Sequence, residues 1–166
     1  KRRRARGDLA KSFGGGVVPV DTAETGVRDS DIVVTITSAS MPVVQGDWLA
    51  PGTHINAAGS NALIRREIDE KSVSRASRIC VDSRDTALRE AGDLLPALEK
   101  GRIHERQLVE LGEVIAGIRP GRTGPQDITL FESQGMAIQD LAVAARLLAL
   151  ARSHGLGTHL PYAIDP

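Results

Sequence analysis

The sequence predicts an α/β fold, with a parallel sheet and helices on both of its faces, and two observations carry this prediction. Apolar, β-branched segments of strand length alternate with segments of helical periodicity along the 166 residues. Two strand segments end in small polar residues, in NAAGSN at residues 56–61 and in FESQG at residues 131–135. Such junctions place backbone amides and hydroxyl groups at the carboxyl ends of parallel strands, where α/β folds bind ligands.

The predicted elements follow one another at the spacing of such a fold. A helix is predicted over residues 1–13, and a short strand is predicted to begin at Val17. Asp21 or Thr22 can cap a short helix that ends at Val27. The next strand is continuous and β-branched, which is typical of a buried strand in a parallel sheet. The remaining predicted strands span residues 31–36, 53–58, 79–81 and 128–131, and the remaining helices span residues 67–76, 86–98 (interrupted at Pro96), 107–116 and 136–153.

Composition excludes several classes of function. Lys and Arg together number 21, as do Asp and Glu, so the overall charge favours neither nucleic acid nor a membrane surface. Five of the first six residues are basic, and we interpret them as the solvated face of a helix. No apolar run is long enough to cross a bilayer, and no secretory leader is recognisable. The single cysteine, Cys80, suits a reducing cytoplasm and is interpreted as a small apolar residue.

The histidines and the acidic residues do not predict a metal site. The spacing of the four histidines matches no ligand motif of the H-E-x-x-H kind. His54 lies in a predicted strand and is interpreted as a polar residue with a hydrogen-bond partner. Four acidic residues are expected to cap helices or to pair with Arg84 and Arg89, namely Asp82, Asp85, Glu90 and Asp93. We therefore expect no metal cofactor.

Segments distributed along most of the chain resemble the ornithine cyclodeaminase/mu-crystallin family, in the order in which the family carries them. The resemblance runs from about residue 8 to about residue 160. It includes the two junctions described above and six further segments: DIVVTIT at residues 31–37, RREID at 65–69, VDSR at 81–84, EAGD at 90–93, ELGE at 110–113 and GIRPGR at 117–122. The family includes ornithine cyclodeaminases, alanine dehydrogenases and ketimine reductases.

The resemblance implies the fold and domain organisation in more detail. The expected fold is an incomplete Rossmann-type, doubly wound parallel sheet that lacks its first two strands. Residues 1–135 would be a partial NAD(P)-binding domain. Residues 136–166 would form a C-terminal helix and tail that return toward a missing substrate and dimerisation domain.

The glycine fingerprint of a dinucleotide-binding domain, G-x-G-x-x-G, is absent from this sequence. The acidic residue that binds the ribose is missing too, and both absences are explained if the chain begins just after the second strand. We therefore expect a fragment that is the C-terminal half of a longer protein. The strand at residues 31–36 would then be a bare apolar edge, and the fragment alone would be poorly soluble and inactive.

The resemblance also implies which residues form a cofactor site. Thr35, Thr37 and Ser38 would line the dinucleotide, since their hydroxyl groups adjoin backbone that can pack along a ribose or adenine. The loop after the next strand would lie over the nicotinamide and the substrate, through Ala58, Gly59, Ser60 and Asn61. Gly59 would allow a close approach of the backbone. Ser133 matches a position near the carboxamide.

Two positions depart from the family pattern. Several family enzymes have, at the position of Asn61, an aspartate that helps to move a proton during imine chemistry. Asparagine can hydrogen-bond a substrate amino group but cannot accept or release a proton near neutral pH. Glu132 stands where the family usually has a basic residue. Either another group carries the proton in this protein, or this branch of the family uses a different substrate.

The leading interpretation is an NAD-dependent enzyme that transfers a hydride at the α-carbon of a small amino acid through an imino acid. Ornithine cyclodeamination, which yields proline and ammonia, is the first reaction considered. The alternatives are an NAD(P)H-dependent ketimine or imino-acid reductase, an alanine dehydrogenase, a non-catalytic mu-crystallin-like ligand-binding protein, and an inactive fragment. NAD is favoured over NADP, and the full-length protein is expected to be a homodimer.

Overall fold

The computed structural model describes residue 12 and residues 16–158. The first predicted helix, over residues 1–13, and the end of the tail therefore lie outside the described residues, apart from Ser12. The contacts divide the chain into two compact units, with the boundary between Gln134 and Gly135.

The first unit contains a five-stranded sheet in which all neighbouring strands are parallel. The order of the strands is β1-β2-β5-β3-β4, so the last strand in the sequence lies in the middle of the sheet. The predicted α/β class is confirmed. The strands are β1 (Ile32–Thr35), β2 (His54–Ala57), β3 (Arg78–Val81), β4 (Leu108–Glu110) and β5 (Thr129–Glu132).

The described residues of this unit contain five short α-helices, and three of them begin at a side-chain cap. The predicted cap Thr22 is confirmed, because its hydroxyl accepts a hydrogen bond from the Thr25 backbone. Asp69 and Ser83 cap the second and third helices in the same way. The helices are α1 (Ala23–Val27), α2 (Glu70–Arg75), α3 (Arg84–Glu90), α4 (Leu95–Glu99) and α5 (Leu111–Ile115). The second unit contains the 17-residue helix α6 (Ala137–Ser153), as predicted to within one residue.

Buried and more exposed side chains alternate along the strands, so the sheet has one buried face and one more exposed face. One face buries apolar side chains from neighbouring strands, among them Val33, Ile55, Ile79 and Leu130. On the other face of β1, the side chains of Ile32 and Val34 are 64% and 65% exposed. The strand β1 is also an edge of the sheet, since no described strand pairs with its outer side. The predicted bare apolar edge is therefore confirmed.

The register aligns the carboxyl ends of all five strands at one level. Thr35 of β1 is paired with Ala57 of β2, and Ala57 is paired with Glu132 of β5. Glu132 is also paired with Val81 of β3, which is in turn paired with Glu110 of β4. The loops that follow these strands therefore leave the sheet from a single edge.

Four predicted elements differ from the structure. No strand forms at Val17, which is exposed and belongs to no described helix or strand. The predicted helix 107–116 begins instead as the strand β4, because burial of Leu108 and Val109 beside β3 outweighs the helical pattern. The predicted helix 67–76 begins only after its cap, Asp69. The predicted helix 86–98 is interrupted by residues 91–94, and Pro96 lies in the first turn of α4, where proline is tolerated.

Within the described residues, no helix is long and apolar enough to span a membrane.

Candidate functional site

The loops after β1 and β2 are joined by a buried carboxylate from a third segment, that of Glu67. The Thr35 hydroxyl donates to Oε2 of Glu67 over 2.9 Å, and the Gly59 backbone N–H donates to the same oxygen over 2.7 Å. The Thr37 backbone N–H donates to Oε1. Glu67 is fully buried, so its carboxylate accepts hydrogen bonds from these two loops and does not contact solvent. Below we call this arrangement of Thr35, Thr37, Gly59 and Glu67 the Glu67 bridge.

Gly59 is required by the close approach of the two loops. A Cβ atom at this position would lie 2.3 Å from the Thr37 carbonyl oxygen and 2.5 Å from Oε1 of Glu67. Both distances are far below van der Waals contact, and one of the two atoms belongs to backbone. The atoms that approach Gly59 closely are therefore the protein's own, and its approach to a nicotinamide ring stays a prediction.

A second buried carboxyl group, that of Asp93, fixes the segment that carries Glu67. Oδ1 of Asp93 accepts hydrogen bonds from the backbone N–H groups of Glu67 and Ile68, over 2.8 and 3.2 Å. The Asp93 N–H donates to the Ser60 hydroxyl over 2.8 Å. Burial raises the pKa of Asp93 to about 6, and the carboxylate of Glu67 adds to the increase, whereas the two backbone hydrogen bonds oppose it. The interpretation of Asp93 as a helix cap or arginine partner is wrong, because its oxygen serves backbone donors instead.

Glu132 ends the central strand β5 and is fully buried. Burial raises the pKa of Glu132 well above its usual range, and the nearby carboxyl groups of Asp93, Glu67 and Asp82 raise it further. The Ser60 hydroxyl has the opposite effect. Together these effects favour the neutral carboxylic acid.

Three buried oxygen atoms at this edge of the sheet have no hydrogen-bond partner among the described residues. They are Oδ2 of Asp93, Oε2 of Glu132 and Oε1 of Gln134. Gln134 donates through its Nε2 to Oε1 of Glu132 over 3.3 Å. Buried acceptors without a donor are uncommon in folded proteins. All three atoms can therefore accept a further hydrogen bond, and the two carboxyl oxygens can alternatively bind a proton.

Ser133 is connected to the two strands that flank β5. Its backbone N–H donates to the Ala57 carbonyl at the end of β2, over 2.9 Å. Its hydroxyl donates to Oδ2 of Asp82, which follows β3, over 2.8 Å. Ser133 is half-buried, so part of it faces the surface at the carboxyl edge.

The structure brings most of the predicted site residues to one edge of the sheet but gives them different roles. The Thr35 and Ser60 hydroxyl groups are buried and hydrogen-bonded within the protein, to Glu67 and Asp93 respectively. The Ala58 N–H donates to the Thr35 carbonyl over 2.9 Å. Three predicted residues are exposed at this edge, namely Thr37, Ser38 and Asn61. The Thr37 hydroxyl accepts a hydrogen bond from the Ala39 N–H over 3.3 Å.

Glu67 and Asp93 were not predicted as site residues. Both occur in the segments RREID and EAGD, which carried the family resemblance, but neither follows a strand directly. Glu67 lies outside any helix or strand and contacts loops that precede it in the sequence. Such a position produces no periodic pattern in the sequence. The position of Glu67 could have been suspected only because buried glutamates need partners.

The remaining polar residues give no indication of a metal site. No group of three or more His, Cys, Asp or Glu side chains within the described part of the chain could hold a metal ion. Nδ1 of His54 lies 2.7 Å from the Thr129 hydroxyl, which confirms the interpretation of His54 as a satisfied polar residue. Cys80 is half-buried, and burial raises the pKa of its thiol, which favours the unreactive form.

The parallel sheet with its aligned carboxyl ends is a Rossmann-like α/β fold, and the carboxyl edge is the candidate ligand site. The sequence pattern of the ornithine cyclodeaminase/mu-crystallin family matches residues 2–153. The chain belongs to this family, as its sequence predicted.

Relatives of known name support this assignment. A Delta(1)-pyrroline-2-carboxylate reductase from Bacillus cereus is 32% identical over 155 residues, which cover 93% of this chain and 47% of that protein. A ketimine reductase mu-crystallin from Mus musculus is 38% identical over 147 residues, covering 89% of this chain and 44% of that protein. The chain thus spans about half the length of the curated relatives that it matches.

Two solved structures share the fold over nearly the whole chain. The Delta(1)-pyrroline-2-carboxylate reductase of Thermococcus litoralis, in complex with NADH and L-proline, has a TM-score of 0.86 and 35% identity, and the match covers 95% of this chain and 49% of that one. An archaeal alanine dehydrogenase dimer with bound NAD has a TM-score of 0.80 and 35% identity, covering 93% of this chain and 48% of that one.

Proposed function

We propose that the complete gene product containing this chain is an NAD-dependent enzyme that interconverts an imino acid and the corresponding amino acid. The observation that carries the proposal is the Glu67 bridge, which holds two loops together where a doubly wound sheet binds a dinucleotide. Similar structures were solved with NADH and L-proline and with NAD, so NAD is the proposed cofactor. When bound, the nicotinamide would supply or accept a hydride at the α-carbon of the substrate.

The described residues fit a dinucleotide at this edge. The exposed groups of Thr37 and Ser38 would contact its sugar or adenine, and the backbone of Ala58 and Gly59 would lie against the nicotinamide ring. The unpartnered Oε1 of Gln134 is an acceptor suited to the N–H groups of a carboxamide, beside the half-buried Ser133.

Asn61 would orient the substrate. Its amide is exposed at the end of the loop that contains Gly59 and can hydrogen-bond an amino or imino nitrogen. Because an amide cannot transfer a proton near neutral pH, Asn61 would not be the acid or base of the reaction. For this reason we place imino-acid reduction ahead of cyclodeamination. Reduction of a protonated imine needs only a hydride, whereas cyclodeamination requires several proton transfers.

The experiment that tests the proposal is a set of assays on the complete gene product. We expect NADH to be consumed stoichiometrically with Delta(1)-pyrroline-2-carboxylate or another imino acid, and NAD to be reduced with the matching amino acid. Ornithine cyclodeamination would instead give proline and ammonia from L-ornithine without net change in NADH. Binding of NADH without turnover of any amino or imino acid would favour a mu-crystallin-like binding protein.

Three further expectations belong to the complete protein. We propose a homodimer, since a related alanine dehydrogenase was solved as a dimer. The segment 136–166 would pack toward a substrate domain that lies outside this chain. A cytoplasmic location is proposed from the single cysteine alone.

A further inference from the structure

Glu67 connects the loops after β1 and β2, although it belongs to neither. We propose that Glu67 is a positioning residue for the dinucleotide, whose carboxylate sets the separation of these two loops and thereby the affinity for NADH. This inference rests on the proposed function, because it concerns the same site. Glu67 is fully buried and has no path to a ligand, so any effect on the cofactor acts through the loops.

The bridge is formed by three donors and two acceptor oxygens. Two donors are backbone N–H groups, of Thr37 and Gly59, and the third is the Thr35 hydroxyl. A carboxylate is the only ordinary side chain of this length that offers two oxygen acceptors and no N–H donor. Its replacement therefore changes the spacing of the loops, and not only their stability.

A glutamine cannot reproduce the bridge in either orientation of its amide. If its oxygen faces Gly59 and Thr35, its NH₂ group faces the Thr37 N–H. If its oxygen faces Thr37, the NH₂ group faces the Gly59 N–H. In each orientation the NH₂ group faces a backbone N–H, so two donors face each other and that backbone N–H has no acceptor. We expect the loops to move apart in order to separate the two donors.

Glu67 itself is fixed by its own backbone. Its N–H donates to Oδ1 of Asp93 over 2.8 Å, and its carbonyl oxygen accepts hydrogen bonds from the N–H groups of Val43 and Val44, over 2.8 and 3.0 Å. The carboxylate therefore has little freedom to follow the loops. The Gly59 backbone lies directly against Thr37 and Glu67, so the two loops cannot move closer together. The Glu67 side chain therefore fixes the position of each loop relative to the other.

The test compares Glu67→Gln with wild type in the complete gene product. NADH dissociation constants are measured by fluorescence titration, together with the KM for NADH and kcat. We expect Glu67→Gln to raise the NADH dissociation constant and KM by about tenfold or more, with a smaller fall in kcat. Thr35→Val removes one donor and keeps both backbone bonds, so we expect a rise of about two- to fivefold.

Asp69→Ala provides the control for lost stability. Asp69 caps α2 only two residues away, but its side chain serves Ser72 and Gly46 and neither of the bridged loops. This variant should lower the unfolding temperature and leave the NADH dissociation constant at the wild-type value. The inference is overturned if Glu67→Gln and Thr35→Val bind NADH as wild type does. Should Glu67→Gln not fold, the Thr35→Val result decides. Wild-type protein that binds no NADH would overturn both this inference and the proposed function.

Discussion

At the scale of single residues, the site depends on buried carboxyl groups that differ in how fully they are hydrogen-bonded. Both oxygens of Glu67 accept hydrogen bonds, so the group is an acceptor for the surrounding loops. Asp93 and Glu132 each retain one buried oxygen without a partner among the described residues. Burial disfavours the charged form of a carboxyl group, and this is the main reason why the pKa of both groups is raised.

The first residue-scale prediction concerns Gly59. Replacement by alanine places a Cβ atom 2.3 Å from the Thr37 carbonyl oxygen, so one of the two bridged loops must move. We expect Gly59→Ala to weaken NADH binding by about tenfold or more and to lower the free energy of unfolding by about 1–3 kcal/mol. Fluorescence titration and urea denaturation of the complete gene product would measure both quantities.

Gly112 is the matched control for this prediction. It lies in α5, and a Cβ atom added there would meet nothing within 4 Å. Because alanine has the higher helix propensity, Gly112→Ala should be neutral or stabilising by up to about 1 kcal/mol. Unchanged NADH binding in Gly59→Ala would contradict the close packing of the two loops.

The second residue-scale prediction concerns pH. The pKa of Asp93 is raised from 3.8 to about 6, so between these values the native state binds more protons than the unfolded state. The contribution of Asp93 to stability should therefore fall as pH rises from about 4 to about 6, by roughly 2–3 kcal/mol, and change little at higher pH. The charge of Glu67 raises the pKa of Asp93 and that of Arg66 lowers it, and the charge of Asp93 in turn raises the pKa of Glu132.

Asp93→Asn isolates this contribution. Asparagine keeps an oxygen for the backbone N–H groups of Glu67 and Ile68 but does not titrate. Urea denaturation at several pH values should give a difference between wild type and variant that changes between pH 4 and pH 6. Parallel stability curves for the two proteins would show that Asp93 is not responsible. The Asp93 charge also contributes to the raised pKa of Glu132, so the difference between the two proteins includes the loss of this coupling.

At the scale of elements, local sequence predicted the helices and strands that have strong local signals. The cap at Thr22 and the helix α6 are within about a residue of their predicted positions. The strand β4 was predicted as helix because Leu108 and Val109 fit both periods over so few residues. Its pairing with β3, which is remote in sequence, decided between the two. Glu67 was expected to be helical, and it instead lies before the cap of α2.

The element-scale prediction concerns the cap of α2. Oδ1 of Asp69 accepts hydrogen bonds from the N–H groups of Ser72 and Gly46, over 2.8 and 2.9 Å. Asp69→Ala should lower the free energy of unfolding by about 1–2 kcal/mol, whereas Asp69→Asn, which keeps a capping oxygen, should cost only a few tenths. Urea denaturation midpoints would measure the difference. Equal midpoints for the two variants would mean that capping at Asp69 contributes nothing to stability.

At the scale of the whole molecule, the strand β1 is an edge of the parallel sheet, and no described strand pairs with its outer side. The edge strand β1 exposes Ile32 and Val34, and Ile36 beyond its end is exposed as well. The chain matches only about half of its relatives' length. An apolar edge of this kind favours pairing with another chain.

The corresponding prediction concerns residues 1–166 expressed alone. We expect this polypeptide to be poorly soluble and to bind no dinucleotide, and Val34→Lys to increase its soluble fraction. Val33→Lys is the matched control, since Val33 is 6% exposed and its replacement should prevent folding. Soluble yield and calorimetric titration with NAD would test both statements. Tight, stoichiometric binding of NAD by this polypeptide would contradict the prediction.

The sequence by itself determined the class of fold, the family, the cap at Thr22 and the edge of the sheet where the candidate site is expected. These depend on hydrophobic periodicity and on short segments, which can be read locally. Only the tertiary structure decided that β5 lies centrally, that β4 is a strand, and that Glu67 joins the loops after β1 and β2. Each of these depends on contacts between residues distant in sequence, whose energies exceed local preference and leave no periodic pattern.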